Sequence, residues 1–148
     1  MNNTHVPLIS SGTAGPLGVI HLPRLWLKSS LEATGKLAAG YPGCGKGYDQ
    51  MVLDGLGLDR QKTLDFIKQN KPTYTQFENW VKQQPGVKLD KANVDKLNAS
   101  ITGYIHDDNT RKGVFSASGL NDENCKFRDA VNLNNLDDWN EFHAANLK

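Results

Sequence analysis

Apolar residues recur every three to four positions along most of the chain, which is the spacing of amphipathic α-helices. Pro23 suits an early helical position, because its missing N–H would have no partner there. The first helix is predicted to run from Pro23 towards Ala39, with Gly40 and Pro42 ending it. Its narrow polar stripe consists of Arg24, Lys28 and Glu32. Because the other sides of this helix are apolar, we expect it to lie at the centre of the fold.

Capping and turn residues divide the rest of the chain into short segments. Asp59 suits the N-cap of a helix over residues 60–70, Asp90 suits the N-cap of the helix that follows it, and Thr73 with Gln76 three positions later forms a capping box. The remaining helices are predicted over about residues 49–56, 91–105, 122–131 and 136–146. A loop is expected over residues 106–113, followed by a short strand or extended crossing over residues 114–119.

The pattern as a whole predicts a mainly α fold, a compact array of six or seven short helices with an irregular N-terminal arm. The arm covers residues 1–20 and a single helical domain covers residues 21–148, with its last helices within residues 120–147. No apolar run approaches the roughly 18 residues of a membrane span. The N-terminus also lacks the basic start of a secretion signal. We therefore expect a cytoplasmic protein that does not bind membranes.

The charge distribution argues against a nucleic-acid partner. The formal net charge is +1, with 8 basic and 5 acidic residues in positions 1–74 and 9 basic and 11 acidic residues in positions 75–148. Nucleic-acid affinity requires several clustered cations, and the longest run of basic residues is Arg111-Lys112. We therefore expect no nucleic-acid partner.

The cysteines and the glycine-rich segment predict neither a metal nor a nucleotide cofactor. Cys44 and Cys125 are too far apart in sequence to form half of a zinc site, and we expect two free thiols. Residues 40–47 nearly match a phosphate-binding P-loop. Gly47 stands where that loop needs a hydroxyl for magnesium, and a helix rather than a strand precedes the segment. The loop could still offer Lys46 and its N–H groups to an anion.

A second short motif, His106-Asp107-Asp108, resembles the metal-binding pair of some phosphohydrolases. Such sites need further histidines at ligand spacing, and His5, His21 and His143 do not provide it. The motif is expected to lie where a helix ends. We therefore interpret it as polar turn residues and predict no metal and no other cofactor.

The densest group of polar side chains surrounds the start of the first helix. His21 and Arg24 flank Pro23, where free N–H groups and the helix dipole favour an anion. The candidate catalytic residues are His21 and Asp49. The candidate substrate-binding residues are Arg24, Lys28, Tyr48 and Lys46. The alternative is a structural ion pair between Arg24 and Asp49 that ties two helix starts together, with His21 as a cap.

The motifs of this region resemble a bacterial family. They are HLPRL at residues 21–25 followed by Lys28, and then Gly47, Asp49, Leu53, Leu56-Gly57 and Asp59 in the order G.D...L..LG.D. This string is similar to the bacterial domain-of-unknown-function family 5069, and the similarity covers about residues 17–105. The chain departs from the family at Leu27, where an acidic residue is frequent, and at residues 43–46. The resemblance implies a small, intracellular, mostly helical bacterial protein and no particular activity.

Two functions of different classes follow. The first is an enzyme or binder of a small anionic or polar metabolite, in which His21 and Asp49 perform acid–base chemistry without metal or nucleotide. The alternative is a non-catalytic interaction domain that docks a protein through exposed aromatic residues. A pocket near His21 favours the first function. A flat surface patch carrying Trp26, Trp80 or Trp139 favours the second.

Overall fold

A computed structural model describes residues 3–148, and these residues form seven α-helices. The helices are α1 (Leu22–Ala33), α2 (Tyr48–Leu56), α3 (Arg60–Asn70), α4 (Tyr74–Lys82), α5 (Lys91–Thr102), α6 (Asp108–Ala117) and α7 (Ala130–Asn146). Extended pairing within residues 3–148 is confined to isolated bridges, such as the one between His5 and Leu37. The predicted mainly α class is confirmed. None of these helices is long and apolar enough to cross a membrane.

The chain divides into two compact units, Met1–Ile101 and Thr102–Lys148. The first contains α1 to α4 and nearly all of α5, and the second contains α6 and α7. The predicted arm has no helix over residues 3–20, while residues 1 and 2 lie outside the described part of the chain. The single domain expected over residues 21–148 spans both units and stays a prediction.

In the first unit α1 is the central element, because it contacts α2, α3 and α4. Leu22 and Leu25 lie three positions apart on its buried face and are fully enclosed. The partner helices contribute the fully buried side chains of Val52, Leu53, Leu56, Ile67, Phe77 and Val81. Burial of each large side chain stabilises the fold by about 1.5–3 kcal/mol. The fold therefore has a core that fixes the N-terminal ends of α1 and α2 against one another.

The predicted capping residues of the first unit are confirmed. The Asp59 carboxylate accepts a hydrogen bond from the Lys62 N–H at 2.8 Å. Thr73 and Gln76 form both bonds of the capping box, at 3.2 and 3.0 Å. The Asp90 carboxylate accepts from the backbone N–H of Asn93 at the start of α5. Each cap satisfies a backbone donor that the first turn of a helix leaves unpaired.

The predicted end of the first helix is wrong by six residues. α1 ends at Ala33 rather than near Ala39, because Gly35 adopts a left-handed φ of 68° and turns the chain out of the helix. The Lys36 N–H then bonds back to the Leu31 carbonyl at 2.7 Å. Beyond this turn, Leu37 pairs with His5 of the arm.

The second unit differs most from the sequence-based prediction. Residues 106–113 were predicted as a loop and residues 114–119 as a short strand or extended crossing, but most of this stretch forms α6 (Asp108–Ala117). Asp107 does not mark the end of a helix but caps the start of α6, where it accepts from the Thr110 N–H at 2.7 Å. Arg111 then forms ion pairs with Asp108 and Asp122 across the helix surface. Apolar spacing fails to reveal such a helix because capping and ion pairing determine it.

The flanking segments of the second unit also need correction. α5 ends at Thr102, so Ile105 is not helical and is 63% exposed. The helix predicted over residues 122–131 is absent from the described chain, where turns and irregular backbone precede α7. α7 starts at Ala130, six residues earlier than predicted, because Asp129 caps it through the Asn132 N–H.

The cap of α3 provides a direct test of this description. Replacing Asp59 with alanine is expected to lower the free energy of unfolding by about 1 kcal/mol, because the Lys62 N–H loses its acceptor. Asp65→Ala removes a carboxylate from the same helix, where it accepts a hydrogen bond from the exposed Gln61 side chain. That control should cost less than about 0.5 kcal/mol. Equal losses in urea denaturation of the two variants would contradict the capping assignment.

Candidate functional site

His21 occupies the N-cap position of α1 with an unusual backbone conformation. Its φ is 68° and its ψ is −26°, in the left-handed region, and its N–H donates to the Thr13 carbonyl. A residue with a Cβ atom pays roughly 1–2 kcal/mol to adopt this conformation. The imidazole of His21 is buried, since only 2% of the residue is exposed.

Both nitrogens of the His21 ring have partners. Nε2 lies 2.6 Å from Oδ1 of Asp49, and Nδ1 lies 2.9 Å from the Ser11 hydroxyl. Asp49 stands in the first turn of α2, where the helix dipole favours a negative charge. The structure thus brings together the two residues predicted to be catalytic, and it adds a serine from the arm.

The second oxygen of Asp49 binds two further donors. Lys28 Nζ lies 2.6 Å from Oδ2, and the backbone N–H of Gly45 donates to the same atom at 2.6 Å. Lys28 reaches this point because seven residues of helix bring it back to within about 20° of the direction of His21. The carboxylate therefore receives a ring N–H and an ammonium from α1 and its N-cap, and a backbone N–H from the loop before α2.

These contacts set the protonation of the pair. Burial alone would raise the pKa of the Asp49 carboxyl, but the hydrogen bonds that it accepts from His21 and Lys28, together with the charge of Lys28, outweigh burial and hold that pKa well below its usual range. Burial lowers the pKa of His21, an effect that the hydrogen bond to Asp49 opposes and the charge of Lys28 reinforces. At pH 7 the pair is thus a carboxylate and a neutral imidazole. In this assignment Nε2 donates to Asp49, and Nδ1 accepts from the Ser11 hydroxyl.

The alternative ion pair between Arg24 and Asp49 is not formed. Within residues 3–148, the Asp49 carboxylate binds His21, Lys28 and Gly45. Nη1 of Arg24 instead donates to the backbone carbonyls of Pro7 and Ile9, at 2.8 and 3.0 Å. The reason is geometric, because Arg24 points about 60° away from His21 around α1. Its guanidinium therefore fastens the arm to α1.

The other two predicted substrate-binding residues lie in different surroundings. The ring of Tyr48 packs at a tilt against His21, with 5.3 Å between ring centroids, and its hydroxyl donates to the Ile101 carbonyl at 2.6 Å. Tyr48 thus forms a wall beside the imidazole. Lys46 is exposed and is not among the described residues that contact His21 or Asp49. Its charge faces solvent on the loop before α2.

The loop over residues 43–47, here called the glycine loop, is held by side chains that bind its backbone. Ser29 donates to the Gly43 carbonyl at 3.0 Å, and Glu32 accepts from the Gly43 N–H at 2.6 Å. Arg60 donates to the carbonyls of Cys44 and Gly45. With the bond from Gly45 to Asp49, the loop backbone is bound at three successive residues.

Sequence reasoning missed Ser11 and Arg60, and it expected the loop N–H groups to face an anion without indicating that the Gly45 N–H binds Asp49. Ser11 lies in an irregular segment whose spacing carries no directional information, and it reaches His21 only after the arm has folded onto α1. The contacts of Gly45 and Arg60 involve backbone atoms, which every residue type carries. A run of glycines beside an acidic helix start was the one signal that a carboxylate could bind a backbone N–H here.

A cleft of about 240 Å³ borders the glycine loop. Its lining combines apolar and charged side chains from α1, α3 and the loop, namely Ser29, Glu32, Ala33, Gly43, Leu64 and Lys68. This volume is smaller than the usual range of drug-sized sites and suits a molecule of few heavy atoms. The described residues contain no group of three or more His, Cys, Asp or Glu side chains placed to hold a metal ion.

Compared with protein-family models and with curated proteins, the chain matches none. The resemblance to family 5069 therefore stays a prediction that depends on its motifs.

The low pKa of His21 predicts a pH dependence of stability. The unfolded chain takes up a proton near the ordinary value of 6.5, whereas the folded ring resists protonation. The free energy of unfolding should therefore be constant above that pH and fall as the pH decreases from 6.5 to 5. The slope approaches about 1.4 kcal/mol per pH unit for one such group.

The measurement is urea denaturation at several pH values. His21→Gln should remove most of the loss, while the matched change at the exposed His143 should preserve it. A wild-type stability that does not change between pH 7 and pH 5 would contradict the protonation assigned here.

The ion pair of Lys28 with Asp49 predicts a non-additive pair of substitutions. Asp49→Asn leaves the buried ammonium of Lys28 without a counter-charge and should cost about 3–5 kcal/mol. Adding Lys28→Met removes the stranded charge, so the double variant should be more stable than Asp49→Asn alone. Denaturant melts of the wild type, both single variants and the double variant give the coupling energy. Additive losses would show that the two charges do not interact.

Proposed function

We propose that this protein binds a small polar or anionic metabolite and acts on it by acid–base chemistry, with His21 as the proton carrier. The observation that carries the proposal is the hydrogen-bonded chain of Ser11, His21 and Asp49, all three at most 2% exposed. A neutral imidazole between a hydroxyl and an ionised carboxylate is the arrangement that general-base catalysis uses. A left-handed backbone at the same residue is typical of functional sites, where other parts of the fold offset the strain.

His21, Asp49 and Lys28 each have a distinct part in the proposal. Nδ1 of His21 accepts a proton, and Asp49 orients the ring and stabilises the imidazolium that results. Lys28 keeps the Asp49 carboxylate ionised. Lys28 binds Asp49 and Arg24 binds the arm. In the proposal, the exposed Lys46 and Lys68 of the cleft therefore attract the anion instead.

The proposal includes the setting expected from the sequence. The protein would be a bacterial cytoplasmic member of family 5069 whose chemistry needs neither metal nor nucleotide. Gly47 in place of a magnesium-binding hydroxyl supports the nucleotide part. Both cysteines are free thiols, which is the usual state in a reducing compartment and supports the cytoplasmic part.

The test is a thermal-shift screen of the whole chain against small carboxylates, phosphates, amino acids and sugars. A ligand at 100 times its Kd stabilises the native state by about 2.7 kcal/mol, which is readily detected. Each stabilising compound is then incubated with the protein and followed by NMR for chemical change. We expect conversion by the wild type and by His143→Gln, and a loss of at least about 100-fold in His21→Gln. Unimpaired conversion by His21→Gln would overturn the proposal.

One observation favours the alternative, an interaction domain. Trp139 on α7 is 59% exposed, whereas Trp26 and Trp80 are half-buried. The indole N–H of Trp26 also donates to the Pro72 carbonyl, so that ring has a structural partner. If the protein functions by docking, Trp139→Ser should abolish binding to a partner protein while leaving folding intact. A metabolite turned over at His21 would argue for the enzyme instead.

A further inference from the structure

The His21–Asp49 pair is closed to solvent, because each residue is only 2% exposed. If a metabolite reaches His21, as the proposed function requires, some element over the pair must move. We propose that this element is the glycine loop and that Arg60 is the positioning residue that holds it closed over Asp49. The inference rests on the proposed function for its purpose and on the contacts of the loop for its mechanism.

Three kinds of element surround the pair, and they differ in what anchors them. The helices α1 and α2 contribute fully buried leucines to the core and cannot move without unfolding it. The arm buries Val6 and Val19 and is fastened by Arg24. The glycine loop contributes no side chain to that core and is held by hydrogen bonds to its backbone. Local opening favours segments with few buried apolar contacts, so the loop opens at the lowest cost.

Arg60 is placed to control this opening. It stands at the first position of α3, and its Nη1 donates to the Gly45 carbonyl at 3.0 Å and to the Gln50 side chain at 2.7 Å. Its Nη2 donates to the Cys44 carbonyl. The planar fork therefore joins two consecutive loop carbonyls to both α2 and α3. It keeps the Gly45 N–H directed at Asp49.

The loop also separates the pair from the neighbouring cleft. Gly43 lines the cleft, whereas Gly45 touches the Asp49 carboxylate. A Cβ atom on Gly45 would lie 3.3 Å from the Pro42 ring and 3.5 Å from Oδ2 of Asp49, so the closed loop lies directly against the Asp49 carboxylate. Displacing the loop connects the cleft to Asp49 and His21. A molecule that fits about 240 Å³ would enter by this route.

The reaction rate of the Cys44 thiol measures how far the glycine loop is open. The thiol is half-buried, and its thiolate attacks the disulfide reagent DTNB, forming a mixed disulfide and releasing a coloured thiolate. In a Cys125→Ser background, Arg60→Gln should speed this reaction at least tenfold. Lys62→Gln removes an exposed cation from the same helix turn and should leave the rate unchanged. Arg60→Lys should restore closure only in part, because an ammonium lacks the planar fork.

Electrostatics cannot imitate the expected result. Burial raises the pKa of the Cys44 thiol, as does the charge of Asp49, while the charge of Arg60 lowers it. Removing Arg60 without opening the loop would therefore raise the pKa and slow the reaction. A faster reaction in Arg60→Gln can only come from greater exposure of Cys44.

An imidazole titration by NMR adds a readout at the pair itself. The groups facing His21 are Ser11 from the arm, Arg24 and Lys28 from α1, and Tyr48 and Asp49 from α2. All of these remain in Arg60→Gln, and Arg60→Lys also keeps the positive charge at position 60, so a rise in the pKa of His21 in both variants would report hydration through an open loop. We expect that rise in Arg60→Gln and no change in Lys62→Gln.

The outcomes separate the two proposals. An unchanged Cys44 rate together with an unchanged His21 titration would overturn the loop proposal, even if His21 proved catalytic. A faster rate and a raised pKa, with no metabolite converted, would support the loop and overturn the proposed function. If Arg60→Gln fails to fold, Gly43→Ala provides the second variant. Its Cβ would overlap the Glu32 carboxylate and lie 2.8 Å from the Glu32 Cβ, so it should displace the loop from α1 and accelerate labelling of Cys44, and an unchanged rate would count against the proposal.

Discussion

A buried carboxylate destabilises a protein unless its charge is balanced and its oxygens are hydrogen-bonded. Asp49 is such a carboxylate, so the first unit must bring a cation and hydrogen-bond donors to it. Removing a carboxylate and an ammonium from water costs several kcal/mol for each ion, which their attraction offsets only in good geometry. Here the balance comes from Lys28 of α1, the ring of His21 and the N–H of Gly45. The placement of α1, α2 and the loop between them is therefore coupled through one side chain.

The arm belongs to this arrangement even though it has no helix. Its carbonyls at Pro7 and Ile9 bind Arg24, and its Ser11 hydroxyl binds His21. The Arg24 side chain thus satisfies two backbone carbonyls of the arm, which in a sheet would be satisfied by a neighbouring strand. The arm remains irregular because side chains of α1 satisfy part of its backbone, so it needs no regular pairing of its own.

How much the sequence predicts depends on how local the determining contact is. Asp59, Thr73 and Asp90 act within three residues of their own position, so each cap could be read directly. The pairing of His21 with Asp49 could also be proposed, because both stand at helix starts, His21 beside Pro23 and Asp49 directly after the glycine loop.

The remaining contacts depend on features that spacing does not encode. Lys28 rather than Arg24 binds Asp49 because of the rotation of one helix, and Ser11 arrives from a segment without periodicity. The helix α6 escaped prediction because its cap at Asp107 and the ion pairs of Arg111 define it, while its sequence shows little apolar repeat. A glycine-rich segment indicates accessible backbone donors, but residue identity does not show that the Gly45 N–H reaches Asp49.

The separation of His21 and Lys28 along α1 has an evolutionary consequence. Two side chains seven residues apart on a helix face the same carboxylate only while the number of residues between them is fixed. Inserting or deleting one residue would rotate one of them by about 100° and shift it by about 1.5 Å along the axis. Substitutions that keep His21 and Lys28 could accumulate one at a time, whereas a length change between these positions would break the pairing with Asp49 in a single step. The first two turns of α1 thus fix the number of residues between His21 and Lys28. Descendants of this gene should therefore vary in the composition of that segment and not in its length.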